Sequence, residues 1–273
     1  MNRPLQILVD GEPCEPDWPL DRALQFGDGL FETMLVRNGQ IRFEALHRAR
    51  LTEGCERLAI NADATAIWHQ ARKFAIEHSN LLLKLQLSRG TATDRGYAPS
   101  GTERARLILI AYPSPSRDAL PAVVRAVTLP NLLGENPQLA GLKHCNRLEQ
   151  VLARRNLQAT QAFEGLLASS SGLLISGTMS NVFMQLEGEL VTPALDLCGI
   201  AGIMRRVVMR EAELAGMPVR VAKLPMSVLD HCSGLALSNA RLGLLAVHSI
   251  NNRSLADSGA LQDLGQRVAA LDH

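Results

Sequence analysis

Two apolar runs constrain this chain most. Leu81-Leu82-Leu83-Lys84-Leu85-Gln86-Leu87-Ser88 ends in strict alternation, and Arg106-Leu107-Ile108-Leu109-Ile110-Ala111-Tyr112 has the composition of a buried strand. Runs of that length and period are strands, and the Gly- and Arg-bearing stretch 89–104 reads as the loop joining them as an antiparallel pair. Short strands are expected at 5–9 and 33–43, around the turn signals Asp10-Gly11 and Asn38-Gly39. Helical spacing falls at 44–60 and 62–78. Tyr112-Pro113-Ser114-Pro115-Ser116 stops regular structure, because proline removes a donor and fixes φ. Beyond it the expectations are a strand at 121–130, a helix at 144–157, and strands near 163–168, 173–176, 181–186 and 189–191. A helix at 202–215 and strands at 218–223 and 234–238 complete the reading. That irregular order means an α+β fold, with an N-terminal domain over 1–113, a linker at 114–120 and a C-terminal domain over 121–273.

The balance of charge excludes several classes of partner. The 273 residues carry 28 basic and 27 acidic side chains, a formal net charge of +1, which offers no field for nucleic acid or an anionic membrane. With 47% hydrophobic and 20% charged residues the composition is that of a folded globular chain, not a disordered one. No apolar run approaches the roughly 18–20 residues of a membrane helix, and the apolar patch Leu5–Val9 is too short for a signal sequence. Cys14, Cys55, Cys145, Cys198 and Cys232 are scattered and odd in number, so neither a disulfide framework nor a metal site is expected. A cytoplasmic protein is the expectation.

Lysine is scarce. Only Lys73, Lys84, Lys143 and Lys223 are present, so any chemistry that needs a primary amine has four candidates. Lys73, Lys84 and Lys223 fall on polar faces of a helix or of alternating strands and read as solvated charges. Lys143 differs. It follows Leu139-Ala140-Gly141-Leu142 where a loop meets a helix, among small and apolar groups. A lysine withdrawn from water loses its proton more easily and becomes a nucleophile for carbonyl groups.

Four ordered segments carry a resemblance. Gly141-Leu142-Lys143-His144-Cys145-Asn146-Arg147-Leu148-Glu149-Gln150 resembles the lysine segment of the fold-type IV pyridoxal-phosphate enzymes, the D-amino acid aminotransferase-like fold. Asp21-Arg22, followed by Gly27-Asp28-Gly29, resembles their N-terminal signature, and His47-Arg48-Ala49-Arg50-Leu51 their H-x-x-RL helix. Gly177-Thr178-Met179-Ser180-Asn181 and Gly199-Ile200-Ala201-Gly202-Ile203-Met204 resemble the cofactor-binding half. The likeness spans about 5–250 and is strongest to the aminodeoxychorismate lyases. It implies a two-domain fold with the site between domains and near a homodimer interface. It also implies pyridoxal 5'-phosphate as cofactor, held covalently by Lys143. Arg50 would grip the phosphate with Gly202, Ile203 and Met204, whose backbone opens a helix; Asn239 and Ala240 would form a second phosphate loop, and Ile200 would pack on the ring. Many relatives have threonine at the place of Ala240. Without the resemblance, Arg50 reads as an ordinary helical arginine and the glycines as turn residues.

One position departs from the family pattern. Where most members place a glutamate at the pyridine nitrogen, this chain has Ser176, and no other acid lies between Glu164 and Glu187. A hydroxyl does not hold that nitrogen as a cation, which weakens the ring as an electron sink. Transamination suffers most from that loss. Elimination of pyruvate from 4-amino-4-deoxychorismate is driven in part by the aromatic ring of its product, 4-aminobenzoate, and tolerates it better. The expected activity is therefore the lyase. Arg89 and Arg95, in a flexible loop, with Arg147 and Arg241, are the candidate partners of the substrate's two carboxylates. An aminotransferase for D-amino or branched-chain amino acids, and a non-catalytic cofactor binder, are the alternatives.

Overall fold

The alternating run 81–88 becomes an inner strand of an antiparallel sheet. The computed structural model describes residues 6–13, 20–91, 96–114, 124–256 and 259–271. By backbone proximity the chain divides into two units. One takes the described residues of Met1–Ala119 together with Leu142–Asn146; the other takes those of Leu120–Gly141 and Arg147–Asp272. The linker expected at 114–120 lies outside the described residues from 115 onward.

The first unit comprises β1 (Gln6–Val9), β2 (Glu12–Pro13), α1 (Arg22–Phe26), β3 (Gly29–Arg37), β4 (Gln40–Ile41), α2 (Glu44–Leu58), α3 (Ala64–His78), β5 (Leu81–Ser88) and β6 (Arg106–Pro113). Its described strands form one sheet in the order β2-β1-β6-β5-β3-β4. β5 runs antiparallel to β3 and to β6, as the two apolar runs require. Alternation sends Leu81, Leu83, Leu85 and Leu87 to one face, where they meet Leu30, Met34 and Val36 of β3 and the stripe Ile67, Trp68, Ala71, Phe74 and Ala75 of α3. That stripe follows i, i+4, i+7 spacing, and Asp63 starts the helix by accepting from the Ala66 N–H at 3.0 Å.

The second unit comprises β7 (Arg125–Leu133), α4 (Leu148–Gln158), β8 (Glu164–Ser169), β9 (Leu174–Gly177), β10 (Asn181–Leu186), β11 (Glu189–Pro193), α5 (Ile203–Leu214), β12 (Val219–Ala222), β13 (Gly234–Asn239), β14 (Gly243–Val247), β15 (Ser249–Ile250), β16 (Arg253–Ser254) and α6 (Gly259–Ala270). Among the described residues its strands form two sheets, β12-β11-β10-β13-β14 and β16-β15-β7-β8-β9. Val182, Met184, Val191, Leu235 and Leu237 share a buried core with Leu166 and Leu174. α5 buries Ile203, Met204, Val207, Val208, Glu211 and Ala212, and the Glu211 carboxylate lies 3.6 Å from Arg267 of α6. No described helix is long and apolar enough to cross a membrane.

Three sequence expectations shift: the strand placed from residue 33 already begins at Gly29, which brings Glu32 into it. The helix placed at 144–157 begins only at Leu148, because 143–145 is taken as an extended segment by β3. The strand placed at 121–130 runs over Arg125–Leu133, and residues 121–123 lie outside the described residues. Leu85 is fully buried between both neighbours of its sheet and the α3 stripe. Leu85→Ala is expected to cost about 2–5 kcal/mol of stability, to be read as a lower urea midpoint at unchanged slope.

Candidate active site

In the first unit a network of buried charge fixes the approach to β3. Asp21 is 1% exposed; it caps α1 by accepting from the Ala23 N–H at 2.9 Å and also takes the Ser88 hydroxyl at 2.6 Å and Arg106 Nη1 at 3.1 Å. Asp28 receives Arg22 Nε at 2.8 Å, Arg89 Nε at 2.7 Å and Arg89 Nη2 at 3.0 Å. Burial raises the Asp28 carboxyl, but Arg89 and then Arg22 outweigh it and leave it below its ordinary value. Gly27 between these acids turns the chain with φ of 66°, and a side chain there would collide with Asn146. The Asp-Arg and Gly-Asp-Gly signature is thus a structural frame.

β3 then presents Glu32 to the apolar face of the sheet, between Leu30 and Met34 and opposite Leu85. The carboxylate is 1% exposed and is met by two residues one helical turn apart on α2. His47 Nδ1 lies 2.6 Å from Oε2; Arg50 donates from Nε to Oε1 at 2.8 Å and from Nη2 to Oε2. Burial would raise the Glu32 carboxyl; Arg50 first, then His47, overcome this and hold it at about 2. Burial also lowers His47, more than Glu32 raises it, and the charges of Arg50 and Lys143 lower it further. The ring is therefore neutral near pH 7, with its proton on Nδ1 facing the carboxylate.

Lys143 reaches this region through backbone pairing. The first residues of β3 have β5 on one side only, and the other side accepts the segment 143–145. The Phe31 N–H donates to the Lys143 carbonyl at 2.9 Å, and the Cys145 N–H to the Gly29 carbonyl at 2.9 Å. Asn146 Nδ2 closes the segment on the Gly27 carbonyl at 3.2 Å. The Lys143 amine is then 4.3 Å from the centroid of the Phe31 ring, with Lys84 at 5.6 Å. A guanidinium and a neutral imidazole thus hold the Glu32 carboxylate, while the two amines gather at Phe31, the next residue along β3.

The second unit is organised by another buried acid. Glu164, 0% exposed, accepts from the N–H groups of Gly165, Thr178 and Met179, from the Thr178 hydroxyl and from Ser180 Oγ at 2.8 Å. It lies against Gly177, where a Cβ would stand 2.8 Å from its Cγ and Cδ. Ser176, buried and paired with Leu167, alternates to the opposite face of β9. Asn181 donates to the Ile200 carbonyl at 2.9 Å and presses Oδ1 so close to Gly202 that a Cβ there would be 2.0 Å away. α5 starts at Ile203 with no side chain capping it, so its first N–H groups stay available to a ligand. Ser238 is the register partner of Asn181, on the same face of the sheet; its hydroxyl is buried and has no hydrogen-bond partner among the described residues. An uncapped helix start and an orphaned hydroxyl both fit a phosphate.

The amino-transferase class IV family model matches residues 29–250. The chain belongs to this family. A crystal structure of 4-amino-4-deoxychorismate lyase from Pseudomonas aeruginosa superposes with a TM-score of 0.92 at 36% identity, covering 98% of this chain and 100% of that one. An aminodeoxychorismate lyase from Vibrio harveyi is 32% identical over 235 residues, 85% of this chain and 86% of its own. A bifunctional aminodeoxychorismate lyase / D-amino acid transaminase from Mycobacterium tuberculosis is 24% identical over 268 residues, 91% of this chain and 92% of its own.

Within this class IV chain the residues singled out by sequence fall unevenly. Lys143 and Arg50 share the first unit with Glu32 and His47. Ser176, Ile200, Gly202, Ile203, Met204, Asn239 and Ala240 lie in the second. Asn239 is spent on its own loop: Oδ1 accepts from the Arg241 and Leu242 N–H groups at 3.0 and 2.8 Å, and Nδ2 donates to the Met179 carbonyl at 3.1 Å. Only backbone donors remain for a ligand at 239–240. Arg89 departs from expectation. It is no flexible loop arginine but 8% exposed; besides Asp28, it donates Nη1 to the Ala59 carbonyl and Nη2 to the Leu58 carbonyl, each at 2.7 Å, finishing α2. Arg95 lies outside the described residues. Arg147 precedes α4, and Arg241 is exposed in the 239–242 turn.

His47 stands inside a sequence motif with no role of its own, Glu32 is not singled out by the sequence, and Glu164 marks only the start of an acid-free stretch. For the two acids the signal is a core-facing position on a strand, which is costly unless paired. The pairing of Glu32 has a pH signature. Its folded carboxyl is held at about 2 against an ordinary 4.5, so the unfolded chain binds the extra proton between those values. The stabilisation is complete above pH 4.5 and is lost as pH falls towards 2; Asp28 acts in the same direction. Urea unfolding followed from pH 5 to pH 3 is expected to lose stability more steeply in the native chain than in Glu32→Gln.

Proposed function

We propose that this chain is an aminodeoxychorismate lyase, dependent on pyridoxal phosphate, that releases pyruvate from 4-amino-4-deoxychorismate and leaves 4-aminobenzoate. The observation that carries the reading is Lys143, whose main chain pairs with β3, whose amine lies over Phe31 and whose charge reaches His47. The likeness to lyases at 36% and 32% identity supports the lyase over other class IV activities.

Pyridoxal phosphate, when bound, supplies an aldehyde for the substrate amine and a ring that draws electrons from the attached carbon. Lys143 is assigned to hold that aldehyde and, once free, to take the proton from the amine-bearing carbon of the substrate. It then returns a proton to the enolpyruvyl oxygen as the carbon–oxygen bond breaks, and the six-membered ring becomes aromatic. Arg50 is assigned to the phosphate in the first unit. In the second unit, the N–H groups of Ile203 and Met204 beside Gly202, and backbone donors of Asn239 and Ala240, keep their assignment as phosphate donors. Ile200 is assigned to the ring face and Ser176 to the ring nitrogen. Glu164 does not stand in for the missing acid there, because its oxygens are saturated by five donors and it faces away from Ser176 across β9. An uncharged ring nitrogen favours elimination over amino transfer. Arg95, Arg147 and Arg241 remain the assigned partners of the substrate carboxylates.

We further propose a homodimer acting in the cytoplasm, with domains divided at 114–120. Exposed Leu148, Val151 and Leu152 line one face of α4 at i, i+3, i+4 spacing, an apolar stripe suited to a second subunit. Light scattering is expected to give the mass of a dimer, and Val151→Asp that of a monomer. The activity is tested by supplying enzymatically generated aminodeoxychorismate to the purified protein. Pyruvate and 4-aminobenzoate are expected in equal amounts, and Lys143→Ala is expected to release neither while keeping its circular dichroism. Keto-acid-dependent amino transfer from D-alanine, without pyruvate release from the chorismate derivative, would place the chain with the transaminases instead.

A further inference from the structure

We propose that Glu32 is the positioning residue for the Arg50 guanidinium, with His47 as its second anchor, and that this clamp makes the site select a phosphorylated cofactor. The inference rests on the reading that Arg50 meets the cofactor phosphate.

The argument starts from where Glu32 is. The core-facing positions of β3 are Leu30, Glu32, Met34 and Val36, and three of the four are apolar side chains packed on α2, α3 and β5. An apolar residue at 32 would satisfy the same packing without removing a charge from water, and buried ion pairs are commonly no more stabilising than the apolar residues that replace them. Stability therefore gives no reason for an acid here.

The geometry gives one. Arginine has a long stem with many rotamers, and a guanidinium that recognises phosphate must present its planar fork in one orientation. Glu32 takes the Nε–Nη2 edge of Arg50 with both oxygens, which fixes the plane and the roll of the group. The carboxylate would itself be free to turn, but His47 holds Oε2 from the other side at 2.6 Å. Both α2 residues project from one face of the helix, three positions apart, so a single acid locks them together. His47 donates through Nδ1 and adds no charge, which leaves Arg50 as the cation of the clamp. A glutamine at 32 would turn an NH2 group towards one of three N–H donors, and the fork of Arg50 would lose its seat.

The test compares two ligands that differ only in the phosphate. Apo-protein is titrated with pyridoxal phosphate and with pyridoxal, following absorbance of the bound aldehyde. Glu32→Gln is expected to weaken pyridoxal phosphate about 10- to 100-fold, the loss that follows from breaking a charge-assisted bidentate contact, and to leave pyridoxal affinity unchanged. Glu32→Asp, which keeps the charge, is expected to recover part of the loss; it carries the test if Glu32→Gln does not fold. In an Arg50→Lys background Glu32→Gln is expected to add little, because the two act through one contact. Equal weakening of both ligands, or additive losses in the double variant, would show a merely structural role and overturn the proposal; so would no change. A native protein that binds neither ligand would instead overturn the cofactor assignment on which it rests.

Discussion

The open half of one strand edge organises the first unit. β3 has β5 along one side from Gly29 to Val36, but on the other side β4 covers only Val36 and Arg37. Backbone donors and acceptors at Gly29–Phe31 must be satisfied, and the segment 143–145 does so. The same three residues that complete the ladder bring the Lys143 amine onto the Phe31 ring. A lysine whose main chain is paired on a sheet edge has its side chain launched from a fixed point, unlike one at the tip of a free loop.

Buried carboxylates repeat the same logic with side chains. Asp21, Glu32 and Glu164 sit where water is scarce and Asp28 is half-buried, and each collects several donors from other segments. Asp28 joins Arg22 to Arg89, and Arg89 in turn finishes α2 at Leu58 and Ala59. Glu164 gathers the turn 177–180 by taking its N–H and hydroxyl groups. An acid with several charged or polar partners acts as a geometric fastener: removing any one partner leaves the rest desolvated and poorly matched. The glycines beside these acids follow from the crowding, as at Gly177 and Gly202, where even a methyl group would overlap a side chain already in place.

The sequence made some of this legible and hid the rest for physical reasons. Periodicity located β5, β6, α2, α3 and α5 to within a few residues, because their burial is one-sided and long enough to repeat. It misplaced the start of α4, since His144-Cys145-Asn146-Arg147 contains no helix breaker and the competing partner, the edge of β3, is more than a hundred residues away. Motif spacing singles out Lys143 and Arg50, yet Arg89, an arginine beside a glycine, looks like a mobile ligand until its carbonyl partners at the end of α2 are seen. Glu164 falls inside an expected strand while Glu32 lies just before the one expected from 33, and which cations and N–H groups they serve depends on tertiary packing alone.

The segment 142–146 groups with the first unit, while the chain on either side of it belongs to the second. During synthesis, then, the sheet of the first unit can pair β5, β6 and β3 long before residue 143 leaves the ribosome, but the Gly29–Phe31 edge stays unpaired until it does. For that interval the nascent protein presents an apolar, hydrogen-bonding strand edge to its surroundings, the kind of surface on which chains associate wrongly. Arrival of Lys143 at Phe31 and protection of that edge are a single late event. A chain terminated before Lys143 would keep its most adhesive border exposed.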